Sequence, residues 1–421
     1  MANDSLLDLS DRIFNGSAAI ADHHPFRPSN RIEEVGDGVA FVESFANVTA
    51  ISTPDGLCLV DTGSAFAAGA VHDAVRSWSK DRATTAVYTH GHIDHVFGTA
   101  AFEAEAPLRV VGHEDIDPRF DRYVKTAGYN AVINQRQFRA PGLQWPTEYR
   151  RPDTTYRDRL DLDLGGVAAE LHHARGETDD HTWVWVPERR TLCTGDLIIW
   201  CTPNAGNPQK VQRYAEEWAV ALRVMATLDP APELLLPGHG LPIAGAERVH
   251  AVLNDTASLL ESLVAQTLEL MNGGARLDEV LHTVAAPPEL LDRPYLRPIY
   301  DDPEFIVRNL WRLYGGWYDG NPAHLQPAPD RALASEIAGL AGGADVLARR
   351  AVELAATGDE ADLRLSSHLA EYAALATPDS PAAHRARAEV YGRRRDAEPS
   401  LMAKGVYSWA EAESLRLAER N

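Results

Sequence analysis

The chain is poor in cysteine, with only Cys58, Cys193 and Cys201 among its 421 residues. So small and odd a number excludes the disulfide framework that stabilises small secreted domains. Apolar runs are also short, and no stretch approaches the ~20 residues that a membrane-spanning helix needs. The start, MANDSLLDLSDRIF, is acidic and does not have the basic and then apolar regions of a secretion signal. We therefore expect a cytoplasmic protein that does not insert into a membrane.

Basic residues are outnumbered, with 40 Lys and Arg against 61 Asp and Glu and a formal net charge of −21. Nucleic-acid-binding proteins usually carry a basic surface, so this balance argues against a nucleic-acid partner. It still allows a local group of basic side chains to bind a small anion. The composition, 45% hydrophobic and 24% charged, is typical of a globular protein with a sizeable core.

The pattern of the chain changes near residue 245. Before it, short β-rich runs alternate with turns and helical stretches, and after it helical patterns dominate. An α/β half followed by an all-α half is the simplest organisation, and the length predicts two or three domains. We predict a catalytic domain at 1–245, a helical region at 246–330 and a repeat-like helical region at 331–421. The helical patterns cover 245–272, 303–318, 331–357, 359–376, 380–395 and 408–419. A weakly periodic stretch at 117–156 could form a lid or insertion over a site.

One turn concentrates side chains that bind metals. The segment YTHGHIDHVFG, residues 88–98, places His90, His92, Asp94 and His95 within six positions at the end of a predicted strand. Imidazole and carboxylate groups are the ligands of zinc and similar ions, and strand ends are where α/β folds present chemistry. One such turn alone would also fit a solvated, histidine-rich loop.

Three later loops add further ligand-type residues. Glu177 lies in HARGETDDH, Asp196 follows the strand in CTGDL, and His239 follows the strand in LLPGHG. Each would be an ordinary turn residue if it stood alone. Four such loops at strand ends of one domain are difficult to explain as turns, so the sequence predicts a metal centre.

The order of these motifs resembles that of the metallo-β-lactamase superfamily. HxHxDH at 90–95, GD at 195–196 and PGHG at 237–240 match its motifs, and Asp61 in LVDTG matches the first of them. The resemblance covers roughly residues 30–245. It implies an α/β fold, an αββα sandwich with a metal pair at one edge of the two sheets, followed in this chain by the all-α helical region.

One departure indicates a branch of this superfamily. Most members have histidine where this chain has Glu177, and glutamate there is characteristic of the alkylsulfatases (type III sulfatases). The segment RLYGGWYDGNPAHLQP, residues 312–327, is similar to the alkylsulfatase dimerisation region. The resemblance implies a two-fold homodimer, which we expect to be built mainly from residues 245–330.

Carried over to this chain, the resemblance implies two zinc ions, with iron or manganese as less favoured alternatives. His90, His92 and Glu177 would hold the first ion, Asp94, His95 and His239 the second, and Asp196 would bridge both. Asp94 and Asp196 are also the expected catalytic residues, and Asp61 would orient a ligand histidine. Such a metal pair shares a water, lowers its pKa and offers hydroxide to an electrophile.

A sulfate ester is an anion, so its pocket needs cationic groups. Alkylsulfatases keep an arginine in an LRG-like stretch after the bridging carboxylate, but this chain has GNP at 206–208, with only Lys210 and Arg213 nearby. These two residues are the candidates for substrate binding, although an ordinary solvated helix face is the interpretation that we favour for them. The histidine that the family places before GWYDGNP is also absent, since DDPEFIVRN occupies that stretch.

The leading interpretation is a dinuclear zinc hydrolase that cleaves a small-molecule ester, with alkyl sulfates as the first candidates. A second interpretation is a hydrolase with the same metal centre whose substrate is a carboxylic ester, a lactone or a lactam. A third is an iron-dependent redox protein, which we rank low because the di-iron members have Glu where this chain has His92.

Overall fold

The computed structural model describes residues 5–27 and 29–420 of the chain, and thirteen strands lie within these ranges. The strands of the first sheet are β1 (Arg31–Gly36), β2 (Val39–Glu43), β3 (Val48–Thr53), β4 (Gly56–Val60), β5 (Ala83–Val87), β6 (Arg109–His113) and β7 (Thr154–Tyr156). Those of the second are β8 (Arg159–Asp163), β9 (Ala168–His173), β10 (Thr182–Val186), β11 (Thr191–Gly195), β12 (Leu234–Pro237) and β13 (Ile243–Ala244). In each sheet, strands adjacent in sequence are also adjacent in space.

Parallel pairing is confined to part of each sheet. Strands β4 to β7 are parallel to one another, and β11 is parallel to β12, whereas the other neighbouring strands are antiparallel. The carboxyl ends of parallel neighbours lie at the same edge of a sheet. The loops that follow β4 and β5 therefore begin side by side, as do those that follow β11 and β12.

Helices flank the strands and make up the later part of the chain. In chain order they are α1 (Leu6–Phe14), α2 (Ala68–Trp78), α3 (Ile93–Val96), α4 (Thr99–Glu103), α5 (Ile116–Lys125), α6 (Ala127–Phe138), α7 (Ala215–Ala226), α8 (Ala246–Asn272), α9 (Leu277–Thr283), α10 (Pro288–Leu291), α11 (Pro303–Gly315), α12 (Asp330–Ala341), α13 (Ala344–Ala355), α14 (Glu360–Ala376), α15 (Pro381–Ala397) and α16 (Leu401–Glu419). None of these helices is long and apolar enough to cross a membrane.

The two sheets pack face to face with helices on their outer sides. Along β2, Val39 and Phe41 join the core between the sheets, whereas Ala40 and Val42 join a second core that includes residues of α2. This alternation follows the two-residue period of a strand, and burial on both faces explains why β2 is apolar almost throughout. The predicted αββα sandwich followed by a helical region is confirmed.

The described chain divides into two compact units. One runs up to Thr126 and then from Pro146 to Trp317, so helices α8 to α11 belong to the same unit as the sheets. Apolar residues of α7 and α8, such as Leu222 and Leu260, belong to the same hydrophobic cluster as buried residues of both sheets. The sequence boundaries near 245 and 330 follow the change in residue pattern, and the three-part division stays a prediction.

The second unit is entirely helical. It contains α6 and α12 to α16, and its core is rich in alanine, with Ala351 and Ala370 fully buried. The helical pattern at 331–357 contains two helices, because Gly342 and Gly343 have φ angles of 90° and 134°, which end α12. The weakly periodic stretch at 117–156 likewise contains most of α5 and all of α6.

Candidate metal centre

The side chains predicted to bind metals follow the carboxyl ends of neighbouring strands. Asp61 comes directly after β4, and the loop that starts at His90 follows β5. Asp196 comes directly after β11, and His239 lies two residues after β12. Because the two strands of each pair are parallel, their ends bring these loops together at one edge of the sandwich.

Seven side chains form two groups whose potential ligand atoms lie within 4.8 Å of one another inside each group. The first group is His90, His92, Glu177 and Asp196, and the second is Asp94, His95 and His239. In the first group, Nε2 of His90 lies 2.8 Å from Nδ1 of His92, and Oε1 of Glu177 lies 3.7 Å from the same His92 atom. The structure thus brings together every residue that the sequence nominated as a ligand.

Asp196 lies between the two groups. Its Oδ2 is 3.8 Å from Nε2 of His90 and 3.4 Å from Nε2 of His239. Its Oδ1 is 3.3 Å from Nε2 of His95. Asp94 completes the second group, since its Oδ2 is 3.8 Å from Nε2 of His95 and 3.6 Å from Nε2 of His239. One carboxylate is therefore placed to contact ligands of both groups.

Several of these atoms are buried and have no hydrogen-bond partner. Among the described residues they include Nε2 of His95, Oδ1 of Asp196 and Oε2 of Glu177. A buried polar atom without a partner is costly, typically by about 1–3 kcal/mol. Cations would pair with all three atoms, and imidazole and carboxylate donors suit borderline divalent ions. The residues present therefore fit divalent metal ions.

Charge at the centre also favours cations. Burial alone would lower the pKa of His95, but the carboxylates of Asp196, Asp61 and Asp94 outweigh it and raise that pKa well above its ordinary value. Burial would raise the pKa of Asp196, yet His239 and His95 hold it well below its usual range. The carboxylates that raise the pKa of His95 would interact favourably with a bound cation for the same reason.

Asp61 helps to orient His95 and His90 through hydrogen bonds on the side of each ring that faces away from the centre. Its Oδ2 lies 2.7 Å from Nδ1 of His95, and because a carboxylate only accepts, that nitrogen must carry the proton and Nε2 must face the centre. Thr89 donates to Asp61 through its backbone N–H at 2.7 Å and its hydroxyl at 2.8 Å. The same hydroxyl lies 3.0 Å from Nδ1 of His90. Nδ1 of His239 is bound in the same manner by the carbonyl of Phe45.

The solvated helix face that we favoured for Lys210 and Arg213 is wrong. Both residues lie in the irregular loop that precedes α7, where Lys210 is half-buried and Arg213 is only 3% exposed. Nη1 of Arg213 lies 2.6 Å from Oε1 of Glu177, and this ion pair draws the guanidinium into the interior. Burial, followed by the neighbouring charge of Arg213, lowers the pKa of Lys210 to about 7.

Sequence reasoning missed other residues that hold the centre together. Nδ2 of Asn204 donates to Oε1 of Glu177 at 2.6 Å. Asp180 accepts the backbone N–H of Gly91 at 2.8 Å and pairs at 2.8 Å with Arg119, which is 3% exposed. Asp180 stands in the same HARGETDDH segment as Glu177, so the motif contained a signal for it. Asn204 and Arg119 have no such signal, because their contacts depend on the folded loops.

An aromatic wall lies beside the second group. The ring of Phe26 lies 4.4 Å from that of His239 and 4.1 Å from that of Tyr300. Tyr300 is 5% exposed, and burial, followed by the charge of Glu177, raises its pKa well above the usual value. These side chains exclude water from one side of the centre.

Comparison with known proteins finds a matching family model for each half of the chain. Residues 42–239 match the model of the metallo-beta-lactamase superfamily, and residues 276–416 match the model of alkyl sulfatase dimerisation. A linear primary-alkylsulfatase from a Pseudomonas species is 28% identical over 375 residues, which cover 82% of this chain and 69% of that protein. An (R)-specific secondary-alkylsulfatase from Pseudomonas is 26% identical over 374 residues, covering 82% of this chain and 56% of that protein.

A solved structure supports the same fold. The stereoselective inverting sec-alkylsulfatase from a Pseudomonas species superposes with a TM-score of 0.82 at 23% identity, covering 92% of this chain and 66% of that one. The chain thus spans between 56% and 69% of the length of these relatives. Residues 42–239 thus form a metallo-beta-lactamase superfamily domain, and residues 276–416 carry the dimerisation region of the alkylsulfatases.

Proposed function

We propose that this protein is a dinuclear zinc hydrolase that cleaves alkyl sulfate esters. The observation that carries the proposal is the pair of ligand groups joined by Asp196, at the edge of a sandwich whose relatives bear alkylsulfatase names. A hydroxyacylglutathione hydrolase and a type 2 metallo-beta-lactamase match 43% and 46% of the chain, whereas the linear primary-alkylsulfatase matches 82% of it.

In this proposal the ligand residues take the roles that the two groups suggest. His90, His92 and Glu177 hold one ion, Asp94, His95 and His239 hold the other, and Asp196 contacts both. Divalent ions held by these residues would supply Lewis acidity, which would lower the pKa of a bound water and stabilise the charge that develops during ester cleavage. Asp61 accepts the proton on Nδ1 of His95, so Nε2 is the nitrogen that faces the centre.

The loop before α7 supplies the positive charge for an anionic substrate. The carboxylates of Asp94 and Glu177, one from each ligand group, favour the charged form of Lys210. Nε of Arg213 is buried without a hydrogen-bond partner in the described chain, so it can donate to an ester oxygen. We assign both residues to sulfate binding.

A panel of esters tests this function. The purified protein is loaded with Zn²⁺ and assayed against linear alkyl sulfates, alkyl phosphates, carboxylic esters, lactones and lactams of matched chain length. We expect turnover of the alkyl sulfates at a kcat/KM at least about tenfold above that of every other class, a margin that corresponds to ~1.4 kcal/mol. Preference for a carboxylic ester, lactone or lactam would contradict the assignment of sulfate esters as substrates, but it would not contradict the proposed metal centre.

We also propose a two-fold homodimer formed mainly by residues 245–330, whose partner helps to wall the catalytic pocket. Trp317 is 70% exposed and Tyr314 is 44% exposed, and aromatic residues are enriched at protein interfaces. The match to a dimerisation model overlaps this region. Sedimentation at low micromolar concentration should give about twice the 46.1 kDa chain mass, and Trp317→Asp should shift it to the monomer. A fully active wild-type monomer would contradict the dimer.

A further inference from the structure

The carboxylate of Glu177 is held asymmetrically. Its Oε1 accepts hydrogen bonds from Nη1 of Arg213 and Nδ2 of Asn204, both at 2.6 Å, whereas its Oε2 is buried and has no hydrogen-bond partner within residues 5–27 and 29–420. Nη1 of Arg213 also donates to the backbone carbonyl of Glu177 at 3.1 Å. The guanidinium therefore fixes both the side chain and the main chain of this residue.

Arg213 is itself fixed by the helix α11. Nδ2 of Asn309 donates to the carbonyl of Arg213 at 3.1 Å and to that of Ala205 at 2.8 Å, so one buried amide joins both ends of the loop. Asn309 is 6% exposed, and a buried side chain with two such bonds has little freedom to move. The donors that face Glu177 are thus held in place before any ligand binds.

Two donors on Oε1 leave the lone pairs of Oε2 for a metal ion. A carboxylate whose two oxygens are both free can bind an ion through either or through both. Glu177 is one of three carboxylates among the seven residues of the two groups. The positive charge of Arg213 offsets the negative charge of Glu177.

We propose that Arg213, together with Asn204, is a positioning residue that keeps Glu177 a ligand through a single oxygen. This inference rests on the proposed metal centre and concerns how that centre is built. The alternative is that Arg213 acts only as a charge. The two roles predict opposite changes in metal affinity when Arg213 is replaced. If Arg213 acts only as a charge, its removal would strengthen the binding of a metal ion. If Arg213 positions Glu177, its removal would weaken that binding.

The experiment compares variants by metal binding and by the visible spectrum of the Co²⁺-substituted protein. Arg213→Met removes charge and hydrogen bonds, and Asn204→Leu removes a hydrogen bond with no change of charge. We expect both to weaken the more affected Zn²⁺ site about 10–100-fold in chelator competition, as outer hydrogen-bond partners of ligands typically do. The visible absorption of bound Co²⁺ should become weaker in both variants. If the second oxygen of Glu177 also binds the ion, the coordination number of Co²⁺ increases, and a higher coordination number weakens this absorption.

Arg175→Met is the matched control, since Arg175 lies two residues before Glu177 but is exposed. It should leave affinity and spectrum unchanged. Arg213→Lys retains the charge and one donor, so it should recover part of the affinity lost in Arg213→Met. Tighter Zn²⁺ binding by Arg213→Met, or a spectrum identical to that of the wild type in Asn204→Leu, would overturn the proposal.

These outcomes separate this inference from the proposed function. A wild-type protein that binds no divalent metal would refute the metal centre itself. A wild-type protein that binds two ions, with variants that bind them equally well, would refute only the positioning role. Circular dichroism of the metal-free variants identifies any that fail to fold, and Asn204→Leu carries the test if Arg213→Met is among them.

Discussion

Replacement of Asp61 by asparagine perturbs the metal centre without removing a ligand. Asp61 is 2% exposed and has a φ angle of 60°, a conformation that asparagine also tolerates, so the backbone should be retained. The amide oxygen of asparagine can accept from the N–H of Thr89, which leaves its NH₂ group facing Nδ1 of His95. That nitrogen must then accept, so the proton moves to Nε2, which faces the proposed ions.

The structure sets the size of the expected effect. The bond between Asp61 and His95 measures 2.7 Å and is fully buried, and hydrogen bonds to charged groups contribute about 1.5–3 kcal/mol. Since ~1.4 kcal/mol is a factor of ten, the tautomer change should weaken metal binding about 10–100-fold. Thr89 also loses one acceptor, so the His90 side of the centre should be affected to a smaller degree.

Chelator competition with Zn²⁺ measures this effect directly, with kcat/KM for an alkyl sulfate as a second readout. Asp161→Asn is the control, because Asp161 is 68% exposed and forms a 2.8 Å ion pair with the exposed Arg159. Such surface pairs contribute little, so the control should match the wild type. Unchanged Zn²⁺ affinity in Asp61→Asn would refute the argument that this carboxylate sets the tautomer of His95.

Three other changes test the account. Gly238→Ala should lower metal content, because its Cβ would lie 2.1 Å from Oδ1 of Asp196, and elemental analysis showing two ions would contradict this. Glu177→His should lower the stability of the metal-free protein by about 3–5 kcal/mol in urea unfolding, since it leaves Arg213 buried and unpaired; an unchanged midpoint would refute the buried pair. Lys210 is charged below its pKa of about 7, so KM for an alkyl sulfate should rise as pH increases through 7. The variant Lys210→Met should have a high KM both below and above pH 7. If KM of this variant instead rises with pH as it does in the wild type, Lys210 is not the group that causes the rise.

The grouping of the proposed metal ligands was predictable because their positions in the sequence follow the fold. His90, His92, Asp94 and His95 lie on one short turn, so their proximity needs no tertiary information. Asp196 and His239 come directly or closely after apolar strands, and parallel pairing brings such ends together.

The surroundings of the ligands were not predictable on the same grounds. Arg213 looks like a surface residue in the sequence, and it is buried because Glu177, 36 positions earlier, offers a carboxylate in the fold. Asn204 and Asn309 depend likewise on loops that meet only after folding. Compact units also depend on packing, which is why α8 joins the sheets although its sequence resembles the later helices.

The central claim is that two ions, held by seven side chains, cleave a sulfate ester. Titration of the metal-free protein with Zn²⁺, with release of inorganic sulfate from a linear alkyl sulfate as the readout, tests it most directly. The account predicts no release without metal and a rise that reaches its plateau at two equivalents per chain. Full activity without added metal, or a plateau at one equivalent, would contradict it.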